Sequence, residues 1–252
     1  MNRIVFITGA TSGFGEACAV KFAQSGYDVI INGRREERLE RLKIRLEADY
    51  AIKVLTLPFD VSNRAAAMNA IQNIPEEWKD ISVLINNAGL ALGRDLFDES
   101  AIDDWDTMID TNVKGLLYVT KAVLPMMIKK QRGHIINLGS VAAKQVYEKG
   151  HVYCATKFAV EALSQAMRID MLRHNIKITA IHPGAAETEF SLVRFGGDEE
   201  KANEIYKGYK PLTGKDVAEV IYFCTTLPEH VSINDLVITP TQQADAIYFY
   251  RK

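Results

Sequence analysis

Seven short apolar runs, rich in β-branched residues, alternate along this chain with stretches of helical period. The runs fall at residues 3–8, 28–32, 53–57, 83–86, 134–138, 177–182 and 236–239. Helical patterns cover 13–24, 36–48, 64–73, 103–129, 152–174 and 214–225. Most of the runs are continuously apolar, as strands covered on both faces must be. Strict alternation leaves few topologies, because each crossover has to lay a helix back on the sheet. The expected fold is α/β: one doubly wound parallel sheet of about seven strands with helices on both faces.

No linker, repeat or low-complexity stretch divides the 252 residues, so a single domain over 1–252 is expected. Hydrophobic residues make up 48% of the chain, enough for a large buried core. The formal net charge is −2 with both signs interspersed, which argues against a nucleic-acid groove or a polybasic membrane patch. No apolar run approaches the roughly 20 residues that span a bilayer. Met1-Asn2-Arg3 leads directly into the first run, which is too brief for a signal peptide. Cys18, Cys154 and Cys224 are far apart, with neither disulfide nor metal-ligand spacing. The expectation is a cytoplasmic protein with reduced thiols and no metal site.

In sheets of this kind the ligand sits outside the carboxyl ends of the strands. The first run ends in Thr8-Gly9-Ala10-Thr11-Ser12-Gly13-Phe14-Gly15. Glycines there permit a tight turn and close approach of backbone to phosphate, and the next helix offers free N–H groups to an anion. The spacing Gly-x-x-x-Gly-x-Gly differs from the Gly-x-Gly-x-x-Gly dinucleotide fingerprint, so position supplies much of the signal: strand, loop, helix, a Rossmann-type start. The second run ends Gly33-Arg34-Arg35. A site for NAD usually carries a carboxylate here for the ribose hydroxyls. Two guanidinium groups in its place suit the 2′-phosphate of NADP. The third run ends Phe59-Asp60-Val61-Ser62. Asp60 and Val61 are expected at the adenine, although an aspartate in this position can equally cap the following helix. The fourth ends Asn86-Asn87-Ala88-Gly89, small enough for backbone to pass a cofactor, and also a common turn composition.

Tyr153 and Lys157 lie four apart on an expected helix and so share a face. A free phenol titrates near 10, and a neighbouring ammonium favours its ionised form. Such a tyrosine can take a proton from an alcohol, or return one to a carbonyl. Ser140, just past the fifth run, can hold the substrate oxygen beside it. Taken singly, each of these residues has an ordinary structural role; their arrival at successive strand ends gives them weight.

The set Thr8–Gly15, Asn86-Asn87-Ala88-Gly89, Asn112, Ser140, Tyr153-Cys-Ala-Thr-Lys157 and Pro183-Gly184 resembles the short-chain dehydrogenase/reductase family, in its order and spacing over most of the chain. The resemblance implies an NADP-dependent oxidoreductase acting on CH–OH groups. It implies catalytic roles for Asn112, Ser140, Tyr153 and Lys157, with Asn112 ordering a water and Lys157 in a proton relay. It places Gly9, Thr11, Ser12, Gly13, Phe14, Gly15, Arg34, Arg35, Asp60, Val61, Asn87, Ala88, Gly89, Tyr153 and Lys157 against the cofactor. Pro183, Gly184 and Thr188 join them at the nicotinamide. A homotetramer is implied, its two long helices packing across a two-fold interface.

A finer similarity, to NADP-dependent 3-hydroxy acid dehydrogenases, rests on Gly33–Leu39, Asn87–Gly93, Trp105–Asn112, Thr188–Phe195 and Thr226–Asn234. It implies a small hydroxy acid of the serine, allo-threonine or 3-hydroxypropionate type. The loop from Pro183 to Thr188 is about one residue shorter than that similarity leads one to expect. The substrate carboxylate then needs a cation, for which Arg194 is the first candidate and Lys144, Lys149 and Arg94 are alternatives. Residues 188–210 have few core-like positions and are expected to form a substrate lid. The apolar tail Ala246-Ile-Tyr-Phe-Tyr250 is expected to cover a pocket or a neighbouring subunit. The rival readings are a reductase of ketones or acyl thioesters, and a non-catalytic cofactor sensor; a nucleotide-sugar epimerase would need a further substrate domain.

Overall fold

A computed structural model describes residues 3–252, apart from the side chains of 202 and 203; Met1 and Asn2, at the head of the expected domain, lie outside the described residues. The strands are β1 (Ile4–Ile7), β2 (Asp28–Gly33), β3 (Val54–Pro58), β4 (Ile81–Asn86), β5 (Gly133–Leu138), β6 (Ile176–Pro183) and β7 (Asp235–Ile238). They form one parallel sheet in the order β3-β2-β1-β4-β5-β6-β7. Strand order reverses between β1 and β4, the switch point at which such sheets open a crevice.

Each face of the sheet has its own core. Val5, Ile7, Val29 and Ile31 pack under the first group of helices, and Phe6, Ile30, Leu84 and Ile135 under the second. A fully buried side chain of this size stabilises the fold by about 1.5–3 kcal/mol. Helix α1 (Gly13–Gln24) buries Gly15, Cys18, Ala19, Phe22 and Ala23, a stripe at helical spacing. It packs against α9 (Gly214–Thr226), which opens with a capping box between Thr213 and Asp216. The edge strand β7 departs from the expected buried pattern: its residues alternate between exposed and half-buried, since only β6 pairs with it.

Helices α2 (Glu36–Asp49) and α3 (Arg64–Gln72) follow β2 and β3. The expected continuous helix over 103–129 is broken into α4 (Ile102–Ile109), a π-helical turn (Asp110–Gly115) and α5 (Leu116–Lys130). Gly115 sits where α5 meets the loop after β3; a Cβ there would stand 2.7 Å from a Val61 methyl. Such turns bulge one residue from the helix and recur at functional sites. Here the turn carries Asn112. Helix α6 (His151–Met171) brings Tyr153 and Lys157 under the sheet's carboxyl edge. Residues 188–210 fold as two short helices, α7 (Glu189–Arg194) and α8 (Glu199–Glu204).

Candidate active site

The loops after β1 and β4 are stapled together at the switch point. The Thr8 hydroxyl donates to the Ile85 carbonyl at 3.3 Å and accepts from the Asn87 and Ala88 amides, each at 3.0 Å. The Asn87 side chain donates to the Thr8 and Gly9 carbonyls at 2.8 and 3.0 Å. Asn87 is thereby a scaffold for the loop as well as part of its wall. Gly9 has φ +65°, and a Cβ on it would stand 2.9 Å from Ala88 Cα. A Cβ at Gly15 would run into the Gly9 carbonyl, so only glycine lets α1 start this close to β1. Ser12 at the head of α1 makes no side-chain cap, which leaves the first N–H groups for an anion.

Arg35 is held over this loop. Its guanidinium donates to Thr11 Oγ1 at 2.8 and 3.2 Å, to Ser12 Oγ at 3.1 Å and to the Glu189 carboxylate at 3.0 Å. Arg38 reaches the same carboxylate at 2.7 Å. Burial opposes ionisation of Glu189, but the bonds from Arg38 and Arg35 outweigh it and lower its pKa. Arg34 lies 3.6 Å from the Asp60 carboxylate. The capping alternative for Asp60 is not what forms: its Oδ1 accepts from the Ser62 amide and hydroxyl, while Asn63 caps α3.

At the opposite end stand the proton-handling groups. Tyr153 is buried, and the Ser140 side chain favours the ionised form of its phenol. Ser140 Oγ also accepts from the Ala142 amide at 3.1 Å. Lys157 Nζ donates to the Leu138 carbonyl at 2.9 Å and lies 5.8 Å from the centre of the Tyr153 ring. Burial pulls the Lys157 pKa down to about 8. The expectation that an ammonium would lower the Tyr153 pKa is reversed in this state. Burial raises it first, Tyr147 adds to the rise, and Ser140 and Arg194 only partly offset them. Asn112 Oδ1 accepts from the Leu90 amide at 2.8 Å, and its Nδ2 donates to the Leu90 carbonyl at 2.8 Å and to Thr156 at 3.1 Å. Gly89 separates Asn112 from Lys157: a Cβ there would stand 3.2 Å from Asn112 Oδ1 and 3.7 Å from Lys157 Nζ.

One cavity of about 760 Å³ runs between these two ends. It is lined by every residue expected at the site except Gly15 and Asn112, which lie behind its wall. Pro183 and Gly184 border it, and Thr188 caps α7 through the Phe190 amide at 3.3 Å while packing on Gly13. Of the candidate cations, Arg194 and Arg94 line the cavity. Lys144 is engaged elsewhere, by Asp235 at 2.6 Å. Ala246, Ile247 and Phe249 of the tail line the cavity, as expected of a segment that covers it.

Among the wall residues that escaped sequence reasoning, two tie the wall together. Tyr147 accepts from Arg194 at 3.0 Å, and Gln243 accepts from the Ala185 amide at 2.8 Å, tying the tail to the turn after β6. Neither lies in a motif; only the distant partner reveals it. Chemically, the cavity joins an anion-binding, glycine-lined crevice to a buried acid, a hydroxyl and a cation.

The sequence profile of the short chain dehydrogenase family matches residues 3–195. A protein of Salmonella typhi, "NADP-dependent 3-hydroxy acid dehydrogenase YdfG", is 48% identical over 96% of this chain and 97% of its own. "Sulfoacetaldehyde reductase 2" of Chromohalobacter salexigens is 45% identical over 97% and 96%. Among solved structures, "The Closed form of serine dehydrogenase complexed with NADP+" superposes with a TM-score of 0.91 at 45% identity, covering 99% of this chain and 100% of that one.

Proposed function

Because the chain belongs to the short chain dehydrogenase family, we propose that it is an NADP-dependent oxidoreductase of small 3-hydroxy acids, interconverting the 3-hydroxyl and the 3-oxo carbon. The observation that carries this reading is that Arg194 and Tyr153 face one cavity whose other end is the arginine-lined crevice. Its relatives are named for substrates of one kind, an acid group on a small alcohol or aldehyde.

The cofactor fits on the chain's own terms. The glycines at 9 and 15 are places a Cβ would fill, α1 starts uncapped, and the second strand ends in guanidinium groups instead of a carboxylate. Thr11 to Phe14 would hold the diphosphate, Arg34 and Arg35 the 2′-phosphate, Asp60 and Val61 the adenine. Asn87, Ala88, Gly89, Pro183, Gly184 and Thr188 would wall the nicotinamide. Bound there, NADP(H) supplies or accepts the hydride.

The side chains handle position and protons. Arg194 holds the substrate carboxylate, and Ser140 and Tyr153 hold the reacting oxygen. In reduction the Tyr153 phenol gives its proton to that oxygen; in oxidation the phenolate takes it back. Lys157 stabilises the phenolate while it exists, and Asn112, through Leu90 and Thr156, keeps the wall behind Lys157 in place. Residues 188–210 act as the lid, and Glu189 links it to the arginines of the crevice.

A homotetramer is supported by exposed apolar side chains on the expected interface helices: Ile102 and Ile109 on α4, Leu117 on α5, and Phe158 and Ile169 on α6. Three free, buried cysteines suit a cytoplasmic setting. The deciding experiment is a panel of serine, allo-threonine and 3-hydroxypropionate with NADP⁺, read by NADPH absorbance, against hydrophobic alcohols. Turnover confined to the hydrophobic alcohols overturns the substrate assignment.

A further inference from the structure

His182 ends in a position that no cofactor or substrate role uses. It is the penultimate residue of β6 and is fully buried. Its ring abuts the backbone just past β5, where a Cβ on Gly139 would collide with it. Nδ1 is 3.3 Å from the Ser140 amide nitrogen and 3.1 Å from the Ser140 carbonyl oxygen. Nε2 is 2.8 Å from a Glu161 carboxylate oxygen and 3.0 Å from one of Asp235. Lys144 closes the group, 2.6 Å from Asp235 and 3.5 Å from Glu161. The charged groups around the imidazole thus come from α6 (Glu161), from β7 (Asp235) and from the turn after Ser140 (Lys144).

Hydrogen-bonding capacity decides how these groups share protons. Ionised carboxylates only accept, so Nε2 between them carries a hydrogen. In a neutral ring Nδ1 is then an acceptor, and the Ser140 N–H is the donor within reach. In an imidazolium Nδ1 carries a hydrogen too; it can serve only the Ser140 carbonyl, and the Ser140 N–H loses its partner. The ring pKa is lowered, by burial first and then by Lys144, against the opposite pull of Asp235 and Glu161. The trio of Glu161, His182 and Asp235 has the composition of a metal site. Lys144 already supplies the balancing positive charge, which favours a proton network.

We propose that His182 is a positioning residue for Ser140: held as the neutral Nε2–H form by Glu161 and Asp235, it fixes the Gly139–Ser140 backbone so that the Ser140 hydroxyl meets Tyr153. Ser140 has extended backbone, φ −173°, and its hydroxyl is pinned on the far side by the Ala142 amide. The segment is also held by the Gly139 amide, which donates to the Ile181 carbonyl at 2.7 Å, and by the Ser140 carbonyl, which accepts from the Ala143 amide at 2.8 Å. Protonation leaves the Ser140 amide without its acceptor and draws Nδ1–H onto the Ser140 carbonyl, which loosens the residue that carries the hydroxyl. The catalytic rate then falls on the acid side, although His182 touches neither substrate nor cofactor.

The inference rests on the oxidoreductase reading for its effect on rate, and its tests separate the two. His182→Phe should lower kcat about tenfold, the consequence of one unpaired amide, with the Kd for NADPH and the KM within about threefold. His182→Asn, whose Oδ1 takes the acceptor position of Nδ1, should restore kcat to within about threefold of wild type and abolish the acid limb of its pH profile. Lys144→Met should move that limb to higher pH, and Asp235→Asn to lower pH. Independently of turnover, long-range ¹H–¹⁵N NMR should show the Nε2–H tautomer at neutral pH, with the Ser140 amide shift following the ring's titration. An Nδ1–H tautomer, an Asn variant as slow as the Phe variant, or a Phe variant within twofold of wild type would overturn the proposal. Absence of any turnover in wild type would sink the oxidoreductase reading instead and leave the NMR result to decide the anchoring.

Discussion

The Arg194 guanidinium carbon lies 5.6 Å from the centre of the Tyr153 ring, and an Arg194 Nη donates to the Tyr147 hydroxyl at 3.0 Å. A cation carried by α7, in the expected lid, is thus fixed beside the proton donor by two tyrosines. A small acid held by Arg194 would bring its hydroxyl-bearing carbon toward Tyr153. Arg194→Met should raise the KM for 3-hydroxy acids about 10- to 100-fold, the effect of one charge-assisted hydrogen bond, with kcat nearly unchanged. An unchanged KM would remove Arg194 from substrate binding.

Glu189 occupies the same Arg35 that is assigned to the 2′-phosphate, and holds Arg38 with it. Phosphate and carboxylate compete for one fork. Glu189→Gln should therefore tighten NADPH binding a few-fold at low salt, and Arg35→Ala should weaken it by about 10-fold or more while leaving NADH binding little changed. Fluorescence titration with both nucleotides measures this. Weaker NADPH binding in Glu189→Gln would contradict the competition.

Lys157 carries a cost to stability. Its pKa is about 8 in the folded protein against the 10.5 of the free side chain. Between those values the unfolded chain binds the extra proton, so stability rises as pH climbs from 8 to 10.5, by about 3 kcal/mol. At neutral pH the folded state has to keep the ammonium buried. Lys157→Met should melt higher than wild type at pH 7, lose most of that alkaline gain, and be inactive. Parallel melting curves across pH for the two proteins would contradict this account.

Because burial keeps the Tyr153 phenol above its ordinary pKa, the proton for carbonyl reduction is in place at neutral pH. Alcohol oxidation needs the phenolate. The oxidative kcat should climb from pH 7 and level off above about pH 8, where Lys157 loses the charge that supports the phenolate, while the reductive kcat stays level or declines over the same range. Matching profiles in the two directions would contradict it.

The sheet was legible because its strands are buried on both faces, and burial writes itself into a sequence as β-branched runs such as Ile4–Ile7 and Ile176–Pro183. Strand-end motifs carried the cofactor loop and the Tyr153–Lys157 pair. What stayed hidden depends on partners far along the chain. The π turn at Asn112 lacks any helix-breaking residue before Gly115, whose close approach to Val61 is visible only in the fold. Asp60 resembles a cap, but its carboxylate turns onto Ser62 and Asn63 takes the capping role. His182 reads as an ordinary strand-end residue until Gly139, Glu161 and Asp235 arrive around its ring.

The central claim is that the Tyr153 phenol moves the substrate proton. Tyr153→Phe removes one hydroxyl and keeps the ring against Phe190 and Arg194. With a 3-hydroxy acid and NADP⁺, the account predicts a fall in kcat of at least about 100-fold, with NADPH bound as tightly as by wild type in fluorescence titration. Turnover by Tyr153→Phe at the wild-type rate would contradict it.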